Sequence, residues 1–446
     1  MEMSIVQKAW DKSKLLLKGI LIGVLALFLM IPSMSVQNLV EEREQRQKEA
    51  VAEVSSKWAT SQNISGPVLV LPYIEAVNNG SQKFAKHFAY ILPDRLNINA
   101  TVQPQERSRG IYKVILYNAQ VKMTGGFGGT SIDRLKIPAS SILWNEAFVK
   151  INLTDPKGLN NELSLQWNDT SLALSPQMNE VPYTGEGLIA TLPNFAEHHL
   201  RSVQFSTEFN LNGSESILFT PVGGITLVNL DARWPHPSFT GNTLPQTWSG
   251  DDKGFKATWK SFSHKRDFPQ QWKDKPFTTQ AVCREVDGTS YKIGSSAFGA
   301  NLFIPVNGYQ KTMRSVKYAI LCILLTFAAI FLMDVIYRKS IHPFQYGLVG
   351  AALILFYVLL LSFSEYIGFN WSYAVAAIAT IGLIGWFLTG VLHSGRLSII
   401  LSAVLVLVYS YVFTILQLQD YSLLIGSIGL FVTLAIIMHF SRKINW

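Results

Sequence analysis

Two carboxylates stand inside otherwise uncharged apolar runs: Glu365, with Ser362 and Ser364 beside it, and Asp334. A carboxylate inside a membrane segment is costly unless it is paired or reaches water, so such residues are functional candidates by default. Both lie within about two helical turns of the end of their run, where headgroups and water reach. Glu365 with Ser364 is the leading candidate and Asp334 follows. A proton-driven carrier would add polar groups at mid-depth and broken spans. Gly382, Gly385, Gly426 and Gly429 read as helix-packing positions rather than as a pore.

Elsewhere the polar residues do not assemble chemistry. His198-His199 lacks a third ligand at metal spacing and reads as a surface pair. His87, His236 and His264 are isolated. Asp251-Asp252 before Lys253-Gly254 reads as a turn, because a calcium loop needs more alternating oxygen ligands. Gly125-Gly126-Phe127-Gly128-Gly129 has neither a Lys-Ser/Thr pair nor a following helix, and reads as a flexible hairpin tip. There is no Gly-x-Ser-x-Gly elbow and no nucleophile–base pair. The expectation is a non-enzymatic protein with no metal and no cofactor. Trp234-Pro235-His236-Pro237-Ser238-Phe239 is Pro-ordered and aromatic, so Trp234, His236 and Phe239 are candidate contacts for a partner. A plainer alternative stands beside it: a structural turn that packs Trp234 into a core.

These residues must be positioned by two different materials. Of 446 residues, 48% are hydrophobic and 15% charged, but charge almost vanishes after Tyr318. About 20 apolar residues cross a bilayer core, and lipid forces them into helices because backbone groups must pair internally. Spans are expected at Gly19–Val36, Tyr318–Ile336, Tyr346–Ile367, Ser372–Leu392, Leu397–Leu416 and Tyr421–Phe440. Between the first two, the texture is β. Leu96, Ile98, Ala100 and Val102 alternate with polar residues, as do Val203, Phe205, Thr207, Phe209 and Leu211 and then Phe255, Ala257 and Trp259. Asn168-Asp169 and Asn212-Gly213 read as hairpin turns. The fold class is therefore α+β membrane protein. It has six transmembrane helices, one N-terminal and five C-terminal, and a large extracytoplasmic antiparallel β-sandwich-type domain between the first and second.

The expected divisions are a cytoplasmic N-terminus (1–18), the first span (19–36), a charged helix leaving the membrane (37–62), the β domain (63–314) and a five-helix bundle (315–446). Val40, Val51, Val54 and Trp58 supply an apolar stripe in the charged helix. Glu42–Arg46, Glu44–Lys48 and Glu53–Lys57 are acid-before-base pairs at the favoured spacing. Ser33-Met34-Ser35 loosely resembles a cleavage site, but the length of the run and the helix after it favour an uncleaved anchor.

The net charge of +8 does not point to nucleic acid. Residues 63–314 and their flanks hold nearly balanced charge, and the basic excess sits at the membrane ends. Arg338, Lys339, Arg396, Arg442 and Lys443 fall on one side if both termini are cytoplasmic, as Lys and Arg prefer. Lys311, Arg314 and Lys317 fall on the other side, but they end a long domain, where that preference counts little. Cys283 and Cys322 lie in different parts of the chain, so no internal disulfide is expected.

Several stretches together resemble the CreD family of bacterial inner-membrane proteins over nearly the whole chain. They are Leu39-Val40-Glu41-Glu42-Arg43, Gly66-Pro67-Val68-Leu69-Val70, Arg109-Gly110-Ile111-Tyr112, the Trp234–Phe239 stretch and Val316-Lys317-Tyr318. In the membrane part they are His342-Pro343-Phe344-Gln345-Tyr346 and Leu361–Phe369. The resemblance implies a Gram-negative inner-membrane protein tied to cell-envelope integrity, with family links to a two-component regulatory system, colicin tolerance and β-lactam response. It brings no catalytic residue or cofactor. The expected partners are the lipid bilayer and an envelope protein or cell-wall partner met by the periplasmic domain. The runner-up is a transporter or lipid-handling protein with Glu365 in its path.

Overall fold

The computed structural model describes residues 17–78, 82–128, 132–176, 187–196, 202–273, 277–278, 291–302, 308–337, 341–418 and 422–441. The chain divides into two compact units, Met1–Lys48 with Val306–Trp446, and Glu49–Pro305. His198, His199 and Cys283 lie outside the described residues.

The first unit is helical. Helix α1 runs Leu17–Trp58 over 42 residues, so the expected anchor and the charged helix after it are one element. The unit boundary falls within it. Then follow α2 (Gly308–Lys317), α3 (Ala319–Tyr337), α4 (Pro343–Ile367), α5 (Phe369–Leu392), α6 (Gly395–Gln417) and α7 (Ser422–Ser441). Among the described residues α1, α3, α4, α5 and α6 are long and apolar enough to cross a membrane. Helix α7 has 20 residues with no Asp, Glu, Lys or Arg. At 1.5 Å per residue it reaches about 30 Å, a bilayer core, and it occupies the place of the expected sixth span.

Helix α2 corrects the sequence reading, which ran the β domain through Arg314. Gly308–Lys317 is helical and belongs to the helical unit. Tyr309, Thr312, Ser315 and Val316 form its buried face, while Gln310, Arg314 and Lys317 are exposed. The segment is polar on average, and two of the four buried positions are Thr312 and Ser315 rather than apolar residues. That combination hid the helix.

The second unit is β. One sheet of nine strands runs in the order Pro237–Gly241, Phe298–Leu302, Ser216–Phe219, Gln62–Asn78, Phe148–Leu153, Leu188–Thr191, Ser175–Pro176, with Gln82–Ile91 and Gln271–Lys273 branching from Gln62–Asn78. The other, of eight strands, runs Thr247–Asp251, Gly254–Phe262, Ile225–Ala232, Arg95–Arg109, Tyr112–Phe127, Val203–Ser214, Ser164–Trp167, Thr170–Ala173. Alternation places one face of this second sheet inward: Leu96, Ile98, Ala100, Val102, Phe205, Phe209, Leu211, Phe255, Ala257 and Trp259 are all buried. They share one core with Leu69, Val149, Ile151, Ile217 and Phe298 of the first sheet, which makes the unit a sandwich. Phe148–Leu153 is buried at every residue, so its sheet is covered on both faces there. Among the described residues pairing is antiparallel except for three parallel pairs: Gln62–Ile64 with Ile217–Phe219, Ile225–Ala232 with Arg95–Val102, and Phe277–Thr278 with Tyr291–Lys292.

The turns came out unevenly. Asn168, at φ 49°, closes the hairpin between Ser164–Trp167 and Thr170–Ala173. Asp251 accepts from the Lys253 and Gly254 amides at 2.8 and 3.0 Å, a turn as expected. Asn212-Gly213 is not a turn. The strand continues through Ser214, and Gly213 is needed because a methyl there would strike the Tyr117 ring. The reversal falls at Glu215, φ 60°, where the chain leaves one sheet for the other. Gly125 and Gly126 are not a hairpin tip either. They pair with Phe205 and Gln204 inside a strand, and a side chain at Gly125 would meet the Arg95 carbonyl and the Phe205 ring. In both cases the sequence signal for a flexible turn is a signal for close backbone approach.

Candidate functional site

Helix α1 carries a seam of inward residues at Ile22, Ala26, Leu29, Ser33, Val36 and Val40, all buried. Their steps of four and three are those of a coiled-coil seam, which keeps one face toward a neighbour. The neighbour is reached through α4: a methyl on Gly350 would run into Leu29 and Phe327. Three residues beyond Val40 the seam arrives at Arg43. At the other end, one residue before Gly19, stands Lys18.

These two bases meet the two carboxylates. Lys18 Nζ forms an ion pair with Asp334 of α3, whose Oδ1 also accepts from the Ile341 amide at 3.4 Å. Arg43 Nε lies 3.8 Å from Glu365 Oε1, and Tyr309 of α2 donates its hydroxyl to the same oxygen at 3.0 Å. The Glu365 side chain is 8% exposed and that of Arg43 38%. Asp334 is three residues from the end of α3 and Glu365 two from the end of α4. Low-dielectric surroundings make an uncompensated charge expensive. Here α1 supplies the compensation at both.

Around Glu365 the helix ends are tied further. Lys311 Nζ donates to Gln417 Oε1 at 3.4 Å and lies 5.7 Å above the Phe369 ring. Gln417 Nε2 donates to Asn370 Oδ1 at 2.8 Å. Arg43, Glu365 and Tyr309, with Lys311, Gln417 and Asn370, thus knit α1, α2, α4, α5 and α6. Ser364 does not share in this, because its hydroxyl donates to the Leu361 carbonyl at 2.8 Å. The His342-Pro343-Phe344-Gln345 stretch is a helix cap. His342 Nδ1 accepts from the Phe344 amide at 3.2 Å, and Gln345 Oε1 accepts from the His342 amide at 2.9 Å. Of the glycines read as packing positions, Gly385 faces Ser402 and Gly429 faces Tyr411, while Gly382 and Gly426 face open space.

The other candidates lie in the β unit. Trp234 is buried in the core, and His236 is exposed. Phe239 is half-buried against Trp248, Phe255 and Trp259, with ring centres 5.6–5.7 Å apart. The stretch is therefore a core-packing turn that leads into an edge strand, and His236 alone of the three keeps a free face. Among the described residues no three His, Cys, Asp or Glu could hold a metal ion. Sequence reading missed Arg43, Lys18 and Tyr309. The seam spacing from Ile22 to Val40 points at Arg43, but the partner's identity depends on the fold.

Two buried cations mark the β unit. Lys150 is 1% exposed, and burial pushes its ammonium down to about 8. Arg266 is pushed down to about 10 by burial, and it donates to the Pro221 and Val222 carbonyls at 3.0 and 2.5 Å.

Residues 14–446 match the family described as "Inner membrane protein CreD". The "Inner membrane protein CreD" of Escherichia coli (strain K12) is 28% identical over 427 residues, which cover 94% of this chain and 91% of that protein. A two-unit chain with several membrane-length helices and a β sandwich, matched over nearly its whole length, belongs to the CreD family of multi-pass inner membrane proteins.

Proposed function

We propose that this protein supports the integrity of the cell envelope without catalysing a reaction. Its termini face the cytoplasm, its β unit faces the periplasm, and that unit meets an envelope protein or the cell wall. The observation that carries this reading is the pairing of both carboxylates. Asp334 and Glu365 are held by Lys18 and Arg43 of α1. A carboxylate locked in an ion pair two or three residues from a helix end acts as a clamp, whereas a carrier places its binding site near the bilayer midplane. The resemblance to the CreD family favours the same reading, including a response to β-lactams and colicins.

A second reading has one observation in its favour. A cleft of about 640 Å³ opens between α3, α6 and α7, lined by apolar side chains such as Leu332, Val404, Leu407 and Val432. That is the size of a site for a small apolar ligand, which suits a bundle that handles lipid or transports a solute, although Glu365 of α4 is not among the lining residues. Complementation of a strain lacking the gene separates the two. Detergent, β-lactam and colicin sensitivity are scored for Glu365→Gln and Arg43→Gln at equal abundance. Both variants break the pair, and only the first removes the carboxylate. If both complement to the same extent, Glu365 is a clamp. Failure of Glu365→Gln alone favours transport.

A further inference from the structure

The aromatic core of the helical unit contains polar groups that the clamp does not use. Phe356 of α4 sits at its centre, with ring centres 4.8 Å from Tyr357, 5.2 Å from Tyr373 and 4.6 Å from Tyr409. The three tyrosines come from α4, α5 and α6. Tyr373 donates to the Tyr409 carbonyl at 2.8 Å. The hydroxyls of Tyr357 and Tyr409 are buried, in residues 1% and 2% exposed; that of Tyr409 makes no hydrogen bond, and that of Tyr357 meets only the Cys322 thiol of α3. The same thiol lies within electrostatic reach of Tyr409. A thiol is only a weak donor and acceptor. The nearby Cys322 carbonyl is already taken by the Thr326 hydroxyl at 2.7 Å.

An unpartnered hydroxyl in an apolar interior costs about 1–3 kcal/mol by mutational measures. Phenylalanine would fill the same space without that cost. One hydroxyl with no partner and one with only a thiol, contributed by α6 and α4 beside the thiol of α3, leave room for a partner that can both donate and accept. Among the described residues no charged side chain takes part in this group, so an ion is a poor match. Buried water is the usual partner of polar groups left over in a protein interior, typically making about three hydrogen bonds.

We propose that Tyr357, Tyr409 and Cys322 build an internal hydration site within the helical unit, which holds ordered water as its ligand. The site is separate from the clamp and does not depend on the function proposed above. It gives the bundle a polar centre, held by water, between two membrane-edge ion pairs.

X-ray radiolytic footprinting of the full-length protein in nanodiscs tests it, with ¹⁸O-labelled water and mass spectrometry. Radicals form where water is bound. Tyr357 and Tyr409 should be oxidised several-fold faster than Trp259 and Phe298, which are equally buried in the β core. In a second arm, Tyr357→Phe and Tyr409→Phe are melted beside the wild type. A hydrated site loses hydrogen bonds on substitution, so each variant melts lower. Rates no faster than those of Trp259 and Phe298, or variants that melt as high as the wild type or higher, overturn the proposal.

Discussion

The two units hold buried charge in opposite ways. Among the described residues of the helical unit, the carboxylates at the ends of spans are matched by bases from another helix, Asp334 by Lys18 and Glu365 by Arg43. In the β unit Arg266 is spent on backbone carbonyls and the Gln270 side chain, and Lys150 is buried so deeply that its proton is loosened. A sheet interior offers many backbone acceptors at loop edges. A helix bundle in lipid has already used its backbone groups, so charge there needs a charged side-chain partner. The difference adds long-range ion pairs to the apolar seam that packs α1 on the bundle, while in the sandwich the hydrophobic core does that work alone.

Charge reversal should break the comparison most sharply at Asp334. Asp334→Lys places a second base beside Lys18, in a residue 7% exposed. Removing one partner of a buried pair costs about 3–5 kcal/mol, so the variant should accumulate poorly in membranes and melt low. Adding Lys18→Asp in the same chain should restore most of the loss. A double variant no better than the single one would sink the clamp.

The Glu365 end should answer more weakly. Arg43 is 38% exposed and can turn to water when its partner goes, so Arg43→Glu should cost about 1–2 kcal/mol. Tyr309→Phe removes one hydrogen bond to the carboxylate and should cost about 1 kcal/mol. Both are read as melting shifts in detergent. If Arg43→Glu proves as damaging as Asp334→Lys, the two ends are not graded by exposure.

In the β unit the sharpening experiment is a pH series on Lys150→Met. The ordinary lysine value is 10.5 and burial lowers it to about 8. Between those values the unfolded chain binds the proton and the folded one does not, so stability rises with pH across that window. Below pH 8 both states are protonated and the burial cost is fully present. The wild type should therefore gain on Lys150→Met as pH climbs from 8 to 10.5, by no more than about 3 kcal/mol. Parallel stability curves for the two proteins would mean that Lys150 keeps its charge at no cost.

What the sequence displayed of all this follows from range. Hydropathy located the spans, and a period of two located the inward faces around Leu96–Val102 and Val203–Leu211, because both are local patterns. The three acid–base pairs at Glu42, Glu44 and Glu53 are formed for the same reason. Lys18 and Asp334 are 316 residues apart, and no local spacing links them. The parallel pairing of Ile225–Ala232 with Arg95–Val102 is equally invisible, since a strand's pattern gives its face but not its neighbour. Gly125 and Gly213 misled because a glycine reads alike whether it frees a turn or makes room for a ring. Trp234 took the plainer of its two readings, the structural turn: its apolar surface is worth more in the core than at a contact.

The smallest effect is expected where the charge is fully in water. Glu53 on α1 is bonded by Lys57 at 2.6 Å and by Arg109 at 3.0 Å. The hydrogen bond from Lys57, and then the charge of Arg109, hold its carboxyl below the ordinary carboxylate value. A depressed carboxylate contributes stability above its unfolded value and loses it as pH falls through the folded one. Glu53→Gln should thus differ from wild type only on the neutral side of that window, and faintly, since exposed pairs contribute little. Salt gives the decisive contrast. At 1 M ionic strength the screening length is about 3 Å, so any coupling between Glu53 and Arg109 in a double-mutant cycle should vanish. The Asp334–Lys18 coupling should persist, because ions do not enter the low-dielectric region that encloses the Asp334 carboxylate. Equal salt sensitivity at the two sites would mean that the Asp334 pair is solvated, and that α1 is held to the bundle by its apolar seam alone.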